Sequence, residues 1–203
     1  MFRDTRTYPL SAPRVVRFDP DQTLLLGPVD ESQVVVSVEQ AKAFLPVRVN
    51  TYDNQIAKLI DAVTRQVESY VRRDVILKNV QSFWFRTPQI AILPRGPHSE
   101  IIKVESINAD GDITELAEGV DYRVEGYTFK QLVSINGERS LSAQFRSGYD
   151  ADKIPPEIPQ AILQELSLQF KNRQDPDTPA MTSVGSLSLE ARHLLSSLIR
   201  RSY

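Results

Sequence analysis

The chain has 203 residues, of which 41% are hydrophobic and 25% are charged, and this ordinary globular composition argues against wholesale disorder and against a fibrous repeat. Its formal net charge of -2 excludes the global basic field that dominates binding to duplex DNA. The sequence contains no cysteine, which excludes disulfides, thiolate chemistry and the common cysteine-based zinc sites. It also lacks the apolar core of a signal peptide and any apolar run of membrane-spanning length, so we expect one compact soluble domain with no membrane partner.

Residues 1–36 differ from the rest of the chain in their high proline content. Prolines at this density prevent a regular helix or a central strand, and the segment contains Pro9, Pro13, Pro20 and Pro28. We therefore predict an extended arm. Its short apolar pieces, Val15–Val16 and Leu24–Leu26, can lie against either its own domain or a neighbouring molecule. A disordered leader is the alternative.

Two helices are predicted at the start of the core domain, which we place at residues 37–173. The sequence SVEQ at Ser37–Gln40 has the form of a capping box, and Pro46 ends the short helix that it starts. A long amphipathic helix follows a second cap candidate, Asp53. Its apolar residues recur at spacings of three and four, which predicts one buried stripe of Ile56, Leu59, Ile60, Val63, Val67, Tyr70 and Val71. We expect the polar residues between them to face elsewhere: Lys58, Asp61, Arg65, Gln66, Glu68 and Arg72.

From about residue 80 the chain changes to a strand pattern. The runs QSFWFR and QIAIL are rich in β-formers, and DYRV at Asp121–Val124 is a further strand candidate. Asp110-Gly111 lies between two alternating arms and predicts a hairpin with a two-residue turn. A second hairpin is predicted at Asn136-Gly137, between QLVSI and SLSAQF. The sequence thus predicts an α+β fold that is mainly helical, with long amphipathic helices packed against one small antiparallel sheet.

The segment FRSGYDADKIPPEIPQAILQELSLQF, residues 145–170, predicts a rigid joint between the last strand and a second long helix. Gly148 and Tyr149 follow the end of the strand. Pro155 and Pro156 force extended backbone before the helix begins. Pro159 then falls in the first turn, where its missing amide hydrogen costs nothing because first-turn amides have no partner within the helix.

The C-terminal part is predicted to contain a loop and a short helix. Residues 174–187 are rich in turn formers and poor in apolar residues, which indicates a mobile loop. Residues 188–203 follow as a final helix with one narrow apolar side and several arginines near its end. Favourable interaction of these cations with the helix C-terminus is one explanation of the basic cluster.

A search for catalytic and ligand-binding motifs favours a binding or structural protein over an enzyme. His98 and His193 are the only histidines, and neither has metal-ligand spacing to a second ligand, so we interpret both as ordinary surface or loop residues. No glycine-rich phosphate-binding pattern is present, and no cofactor is predicted. A small hydrolase that uses Asp150, Asp152 or Glu157 is the remaining enzymatic alternative.

The order of these segments resembles the head-to-tail connector (adaptor) proteins of tailed bacteriophages. The resemblance covers about residues 37–203 and is carried by EQAKAFL, IAKLIDAVTRQVESYV, DYRV, FRSGYDADKIPPEIPQAILQELSLQFKNR and LLSSLIRRSY. Within the fourth segment, Phe170, Asn172 and Arg173 match the aromatic and Asn-Arg-like helix ending of the family. The chain departs from the family at Val71–Asp74, where a Thr-Gly-Arg-like turn is usual, and the arm before residue 37 lies outside the pattern.

The resemblance implies a structural virion protein. Such a protein would form a ring of about a dozen subunits in the neck, beneath the portal protein, and would join the capsid to stopper or tail-completion proteins. DNA would pass through its channel without specific contacts. We expect the last helix to dock on the portal rather than complete the subunit's own core, through Leu194, Leu195, Leu198, Arg200, Arg201 and Tyr203. Another neck or tail-completion protein of similar size is the alternative within the same class.

Overall fold

The computed structural model describes residues 17–30, 32–45, 50–85, 89–108, 110–134, 140–174 and 187–199. In this part of the chain the helices are α1 (Val38–Phe44), α2 (Asp53–Val71), α3 (Glu157–Gln174) and α4 (Leu189–Leu195). The strands are β1 (Arg17–Phe18), β2 (Gln22–Pro28), β3 (Lys78–Trp84), β4 (Ile90–Ile92), β5 (His98–Ile107), β6 (Ile113–Glu115), β7 (Tyr122–Glu125), β8 (Gln131–Ser134) and β9 (Leu141–Ser147). The α+β class is confirmed. The expectation of a mainly helical chain is wrong, because these strands contain nearly as many residues as the helices.

The strands form two sheets rather than the single sheet predicted from the sequence. One sheet has five strands in the order β2-β3-β9-β5-β6, and all of its pairs are antiparallel. The other has the order β1-β4-β8-β7 and is antiparallel except for the short β1–β4 pair. Inward side chains of both sheets share one apolar core that includes Val80, Trp84, Leu141 and Phe145 from the first sheet and Ala91, Tyr122 and Leu132 from the second. The two sheets therefore pack face to face, as in a small sandwich.

One predicted hairpin is confirmed and the other is wrong. Strands β5 and β6 pair as expected, but Ile107 pairs with Ile113, so the connection is longer than the predicted two-residue turn. The side-chain oxygen of Asn108 holds this connection by accepting hydrogen bonds from the amides of Asp110 and Asp112, at 2.9 and 2.8 Å. Strands β8 and β9 do not pair, because β9 lies between β3 and β5 in the other sheet. The predicted turn at residues 136–137 lies outside the described residues.

The four helices share a second core, separate from the core between the sheets. The capping box of α1 is confirmed: Ser37 Oγ accepts from the amide of Gln40 at 3.2 Å, and the Gln40 side chain accepts from the amide of Ser37 at 2.9 Å. Asp53 is not the cap of α2, which begins at that residue, and its carboxylate instead receives Lys42 Nζ at 2.8 Å. The predicted stripe of α2 is confirmed, with Tyr70 half-buried at its margin. No helix among the described residues has the length and apolar character needed to cross a membrane.

The described part of the predicted arm lies along the edges of both sheets. Strand β1 is at the edge of the four-stranded sheet, and β2 follows at the edge of the five-stranded sheet. Val36, near the end of the arm, is then buried in the helical core. Strand β2, which carries Leu24–Leu26, therefore pairs with the chain's own domain, which is one of the two surfaces considered for these residues. Residues 1–16 lie outside the described part.

Candidate assembly interface

The predicted joint between sheet and helix is held by main-chain contacts at Gly148 and Tyr149. Gly148 has a φ of 116°, and a Cβ at this position would overlap the carbonyl oxygen of Ile76. The amide of Gly148 donates to Pro97 O at 2.9 Å, and that of Tyr149 donates to Val75 O at 3.3 Å. The position therefore requires glycine, both for its backbone conformation and for the close approach of the chain that follows α2.

The three prolines of the joint lie where the sequence predicts them. Pro159 is the third residue of α3, within its first turn. The carbonyls of Pro155 and Pro156 accept the amides of Ile158 and Gln160 at 3.0 and 3.4 Å, so the residues before the helix already satisfy first-turn donors. Whether this corner sets the geometry of an assembly stays a prediction.

A cluster of four charged residues connects the end of α2 to the sheets. Glu68, which the sequence predicts to face away from the core, is only 4% exposed, and its carboxylate receives Lys78 Nζ at 2.6 and 2.7 Å and the amide of Val75 at 3.0 Å. Asp74 is fully buried, and its Oδ1 receives the Nε and Nη2 atoms of Arg95 at 2.8 and 2.7 Å. Lys78 Nζ lies 3.5 Å from the same oxygen. The two carboxylates and two cations balance in charge, which is the condition under which buried charges are tolerated.

The charge state of Arg95 follows from this arrangement. Burial lowers the pKa of Arg95 and is the largest single influence, but the hydrogen bond that Arg95 donates to Asp74 and the charges of Asp74 and Glu68 together outweigh it and raise the pKa. Arg95 therefore stays a cation. The network connects the end of α2 to the residues that lead into the sheets.

Two aromatic contacts extend the same connection toward the four-stranded sheet. The Arg73 guanidinium lies 4.7 Å from the ring centre of Phe129 and donates to the hydroxyl of Tyr149 at 3.2 Å. His98, predicted as a surface or loop residue, is 4% exposed at the start of β5, so that prediction is wrong. Its Nδ1 accepts from the amide of Lys130 at 3.0 Å, which leaves Nε2 to donate to Pro94 O at 2.7 Å. The buried ring is thus satisfied by main-chain partners.

The predicted docking helix packs on the subunit itself. Leu195 of α4 is fully buried in the helical core, and Leu194 and Leu198 are half-buried against it. Glu165 of α3 is 1% exposed and accepts the amide of Ser188, the residue before α4, at 2.9 Å. The expectation that this helix leaves the core is therefore wrong for its described residues. The other docking candidates, Arg200, Arg201 and Tyr203, and residues 175–186 of the predicted loop lie outside the described residues.

Edge strand β2 carries the longest run of exposed large apolar side chains in the described chain. Leu24, Leu25 and Leu26 are 42%, 52% and 54% exposed. Phe85, directly after β3, is 59% exposed and stacks on Phe83 with 6.4 Å between ring centres. Contiguous apolar surface of this kind marks a contact site for another molecule. The sequence shows these leucines, but their exposure could not be predicted, because it depends on which edge of the sheet β2 occupies.

The three acidic residues considered as catalytic candidates lie between the end of β9 and the first turn of α3. Asp150 binds Lys153 at 2.7 Å, Asp152 is exposed in the same short turn, and Glu157 is in the first turn of α3. Among the described residues no group of three metal-ligating side chains is positioned to hold an ion. The surfaces that remain prominent are those suited to protein contacts.

Comparison with known proteins shows similarity of fold without similarity of sequence. No protein-family model matches the chain, and no curated protein matches it in sequence. A chain in the neck of an empty gene transfer agent (GTA) particle, computed with C6 symmetry, matches with a TM-score of 0.67 and 14% identity, over 89% of this chain and 97% of that one. A chain in the virion of the native GTA particle matches over the same shares, with a TM-score of 0.65 and 14% identity. A chain in the neck of the native particle, computed with C12 symmetry, also matches over these shares, with a TM-score of 0.63 and 15% identity. The protein therefore shares its fold, over 89% of this chain and 97% of those, with chains in GTA neck and virion structures.

Proposed function

We propose that this protein is a head-to-tail connector (adaptor), a structural protein of the neck in a virion or phage-like particle. Its subunits form a ring of about a dozen copies beneath the portal, and the ring continues the DNA channel toward the tail. The observation that carries the proposal is the fold shared with GTA neck and virion chains over 89% of this chain and 97% of those. The order of sequence segments described above supports it independently.

The symmetry of the matching structures supports a ring. Two of them are necks computed with C6 and C12 symmetry. A closed ring built by rotation uses two different surfaces of each subunit, one for each neighbour. This subunit has an apolar sheet edge at β2 and charged faces on its helices. It therefore has different surfaces that could each contact one neighbour in a ring.

The partners we propose are the portal on one side and a stopper or tail-completion protein on the other. Because α4 packs on α3, the portal contact does not use Leu195, which is fully buried. The residues that follow α4, which include Arg200, Arg201 and Tyr203, stay the candidates for that contact.

Passage of DNA rather than recognition of DNA fits the charges of the chain. The net charge is -2, and each additional phosphate contact would add favourable binding that slows transit. Of the basic residues near helix ends, Arg73 is already engaged by Tyr149 and Phe129. We therefore propose at most weak, nonspecific duplex binding and no enzymatic activity.

The proposal is tested by imaging the purified protein with and without portal particles. We expect rings that cap one face of the portal, and loss of capping when residues 200–203 are deleted. The matched control is Leu189→Ala, an exposed change on the outer side of α4 that should leave capping intact. A wild-type protein that never associates with portal particles contradicts a connector role and favours another neck protein.

A further inference from the structure

Strand β2 leaves one edge of the five-stranded sheet open. It pairs with β3 on one side, and none of the described residues pairs with its other side. Proteins commonly protect such an edge with charged residues, a proline or a bulge; QTLLLGP has no charged residue, and only the bulge at Leu26 and Pro28 at its end interrupt the edge. An uncharged edge with three exposed leucines is therefore a surface that another molecule covers.

The apolar surface occupies both faces of this edge. Leu25 pairs with Val80, on the face that points toward the core between the sheets, yet it is still half exposed. Leu24 pairs with Gln81 and so lies on the opposite face, together with Phe83. Leu26 is the extra residue at the shift in register between Leu25 and Gly27. A partner therefore covers the edge itself rather than one side of the sheet.

Acidic residues stand at both ends of β2. Asp19 and Asp21 precede the strand, and Asp30 follows it, all on the exposed surface. Hydrogen bonds from the side chain and amide of Ser32 lower the pKa of Asp30, so this carboxylate stays ionised at neutral pH. The complementary partner is thus a surface with small or apolar side chains in its middle and cations at both ends.

The exposed face of α2 has this composition. One line along the helix, at spacings of four and three, contains Lys58, Ala62, Arg65, Ser69 and, just beyond the last turn, Arg72, and all five are exposed. Lys58 and Arg72 stand at its ends, and between them lie two small side chains, Ala62 and Ser69, and the central Arg65, whose charge is paired with Asp61 of the same helix. The stripe spans about 21 Å at the rise of an α-helix, and β2 spans about 20 Å at the rise of a strand. We define these five residues as the α2 stripe.

We propose that the β2 edge of one copy docks on the α2 stripe of a second copy, and that this contact is the seam between neighbouring subunits. The inference rests on the proposed ring. It joins two different surfaces, as rotational symmetry requires. The apolar leucines lie against Ala62, Ser69 and the aliphatic part of Arg65, while Asp19 or Asp21 and Asp30 face the terminal cations. Arg65 can contribute because its present ion pair with Asp61 is exposed and therefore weak.

The seam is tested by the mass distribution of the purified full-length chain, measured by mass photometry and sedimentation velocity. Leu24→Lys/Leu26→Lys places cations against the cations of the stripe, and we expect assembly to weaken by at least about 100-fold. Lys58→Glu/Arg72→Glu should disrupt assembly likewise, and adding Asp19→Lys/Asp30→Lys should restore it. Tyr127→Lys, at a residue that is 96% exposed in the β7–β8 turn, is the matched control and should assemble normally.

A covalent test does not depend on disruptive variants. Because the chain has no cysteine, Leu26→Cys/Ala62→Cys introduces the only two thiols. Oxidation should give a ladder of linked chains on a non-reducing gel, and each single variant should give no ladder beyond dimers. If the wild type forms rings and the edge variants assemble normally, the seam is overturned and the proposed function stays intact. The same holds if the wild type forms rings and the double cysteine variant gives no ladder. A wild type that stays monomeric at every concentration and forms no ring even on portal particles overturns both.

Discussion

Glu68 and Lys78 form a buried ion pair that joins the end of the long helix α2 to the start of strand β3. Lys78 Nζ lies 2.7 Å from Oε1 and 2.6 Å from Oε2 of Glu68, and the side chains are only 17% and 6% exposed, respectively. The pair closes the short turn after the helix, and so fixes where the sheets begin relative to the helical core.

Removing one member of this pair should be costly. Glu68→Met leaves the amide of Val75 without its partner and the Lys78 ammonium with only its 3.5 Å contact to Asp74, and we expect the free energy of unfolding to fall by about 3 kcal/mol. Glu68→Met/Lys78→Met removes both charges and should cost less than the single change. Urea denaturation measures both variants, and Asp61→Ala, which breaks an exposed pair with Arg65, should cost less than about 1 kcal/mol. A double variant that is less stable than Glu68→Met contradicts this account of the cluster.

Helix α4 is expected to behave as part of the subunit core. Leu195→Ala removes a fully buried side chain and should lower the free energy of unfolding by about 2–5 kcal/mol. The matched control is Leu189→Ala on the same helix, where the side chain is 78% exposed and the change should stay within about 0.5 kcal/mol. Thermal and urea unfolding provide the measurement. Equal stability of the two variants would show that α4 does not pack as described.

The joint at Gly148 gives a prediction that separates crowding from backbone conformation. Gly148→Ala must adopt a left-handed φ and also displace the carbonyl of Ile76, so its cost should clearly exceed that of Gly119→Ala. Gly119 has a φ of 85° but open space around its Cα, so only the conformational cost of about 1 kcal/mol applies there. Differential scanning calorimetry should show a larger drop in melting temperature for Gly148→Ala. Equal drops contradict close packing at this joint.

Local patterns in the sequence predict the parts of the fold that depend on local chemistry. The capping box at Ser37, the stripe of α2 and the first-turn position of Pro159 follow from spacing and from the geometry of a helix start. The burial of Glu68 does not, because its partners, Lys78 and the amide of Val75, come after the helix and are brought to it only by the turn.

Strand pairing is the part that local patterns could not supply. Asn136-Gly137 favours a hairpin, but β9 satisfies both of its edges by pairing with β3 and β5. The same long-range pairing places β2 at a sheet edge and exposes its leucines, so the proposed seam could not be found from the sequence. The burial of Leu195 depends on α3 and on Glu165, far from it in the chain.

The prolines of the joint are expected to influence assembly more than stability. Replacing Pro155, Pro156 and Pro159 with alanine frees backbone in the unfolded chain, and each change is worth only about 0.4–1 kcal/mol. We expect a folded subunit whose rings vary in diameter, because the angle between β9 and α3 is less constrained. Two-dimensional class averages of negatively stained particles measure the diameters. Uniform rings of wild-type size from the triple variant refute a geometric role for this corner.

The mass of the assembled wild-type protein tests the connector account most directly. Native mass spectrometry of the full-length chain, alone and after mixing with portal particles, counts the copies in each closed assembly. The account predicts one discrete species of about a dozen 23.0 kDa subunits that binds the portal as a unit. A monomer or dimer at all concentrations, with no ring formed even on portal particles, would contradict it.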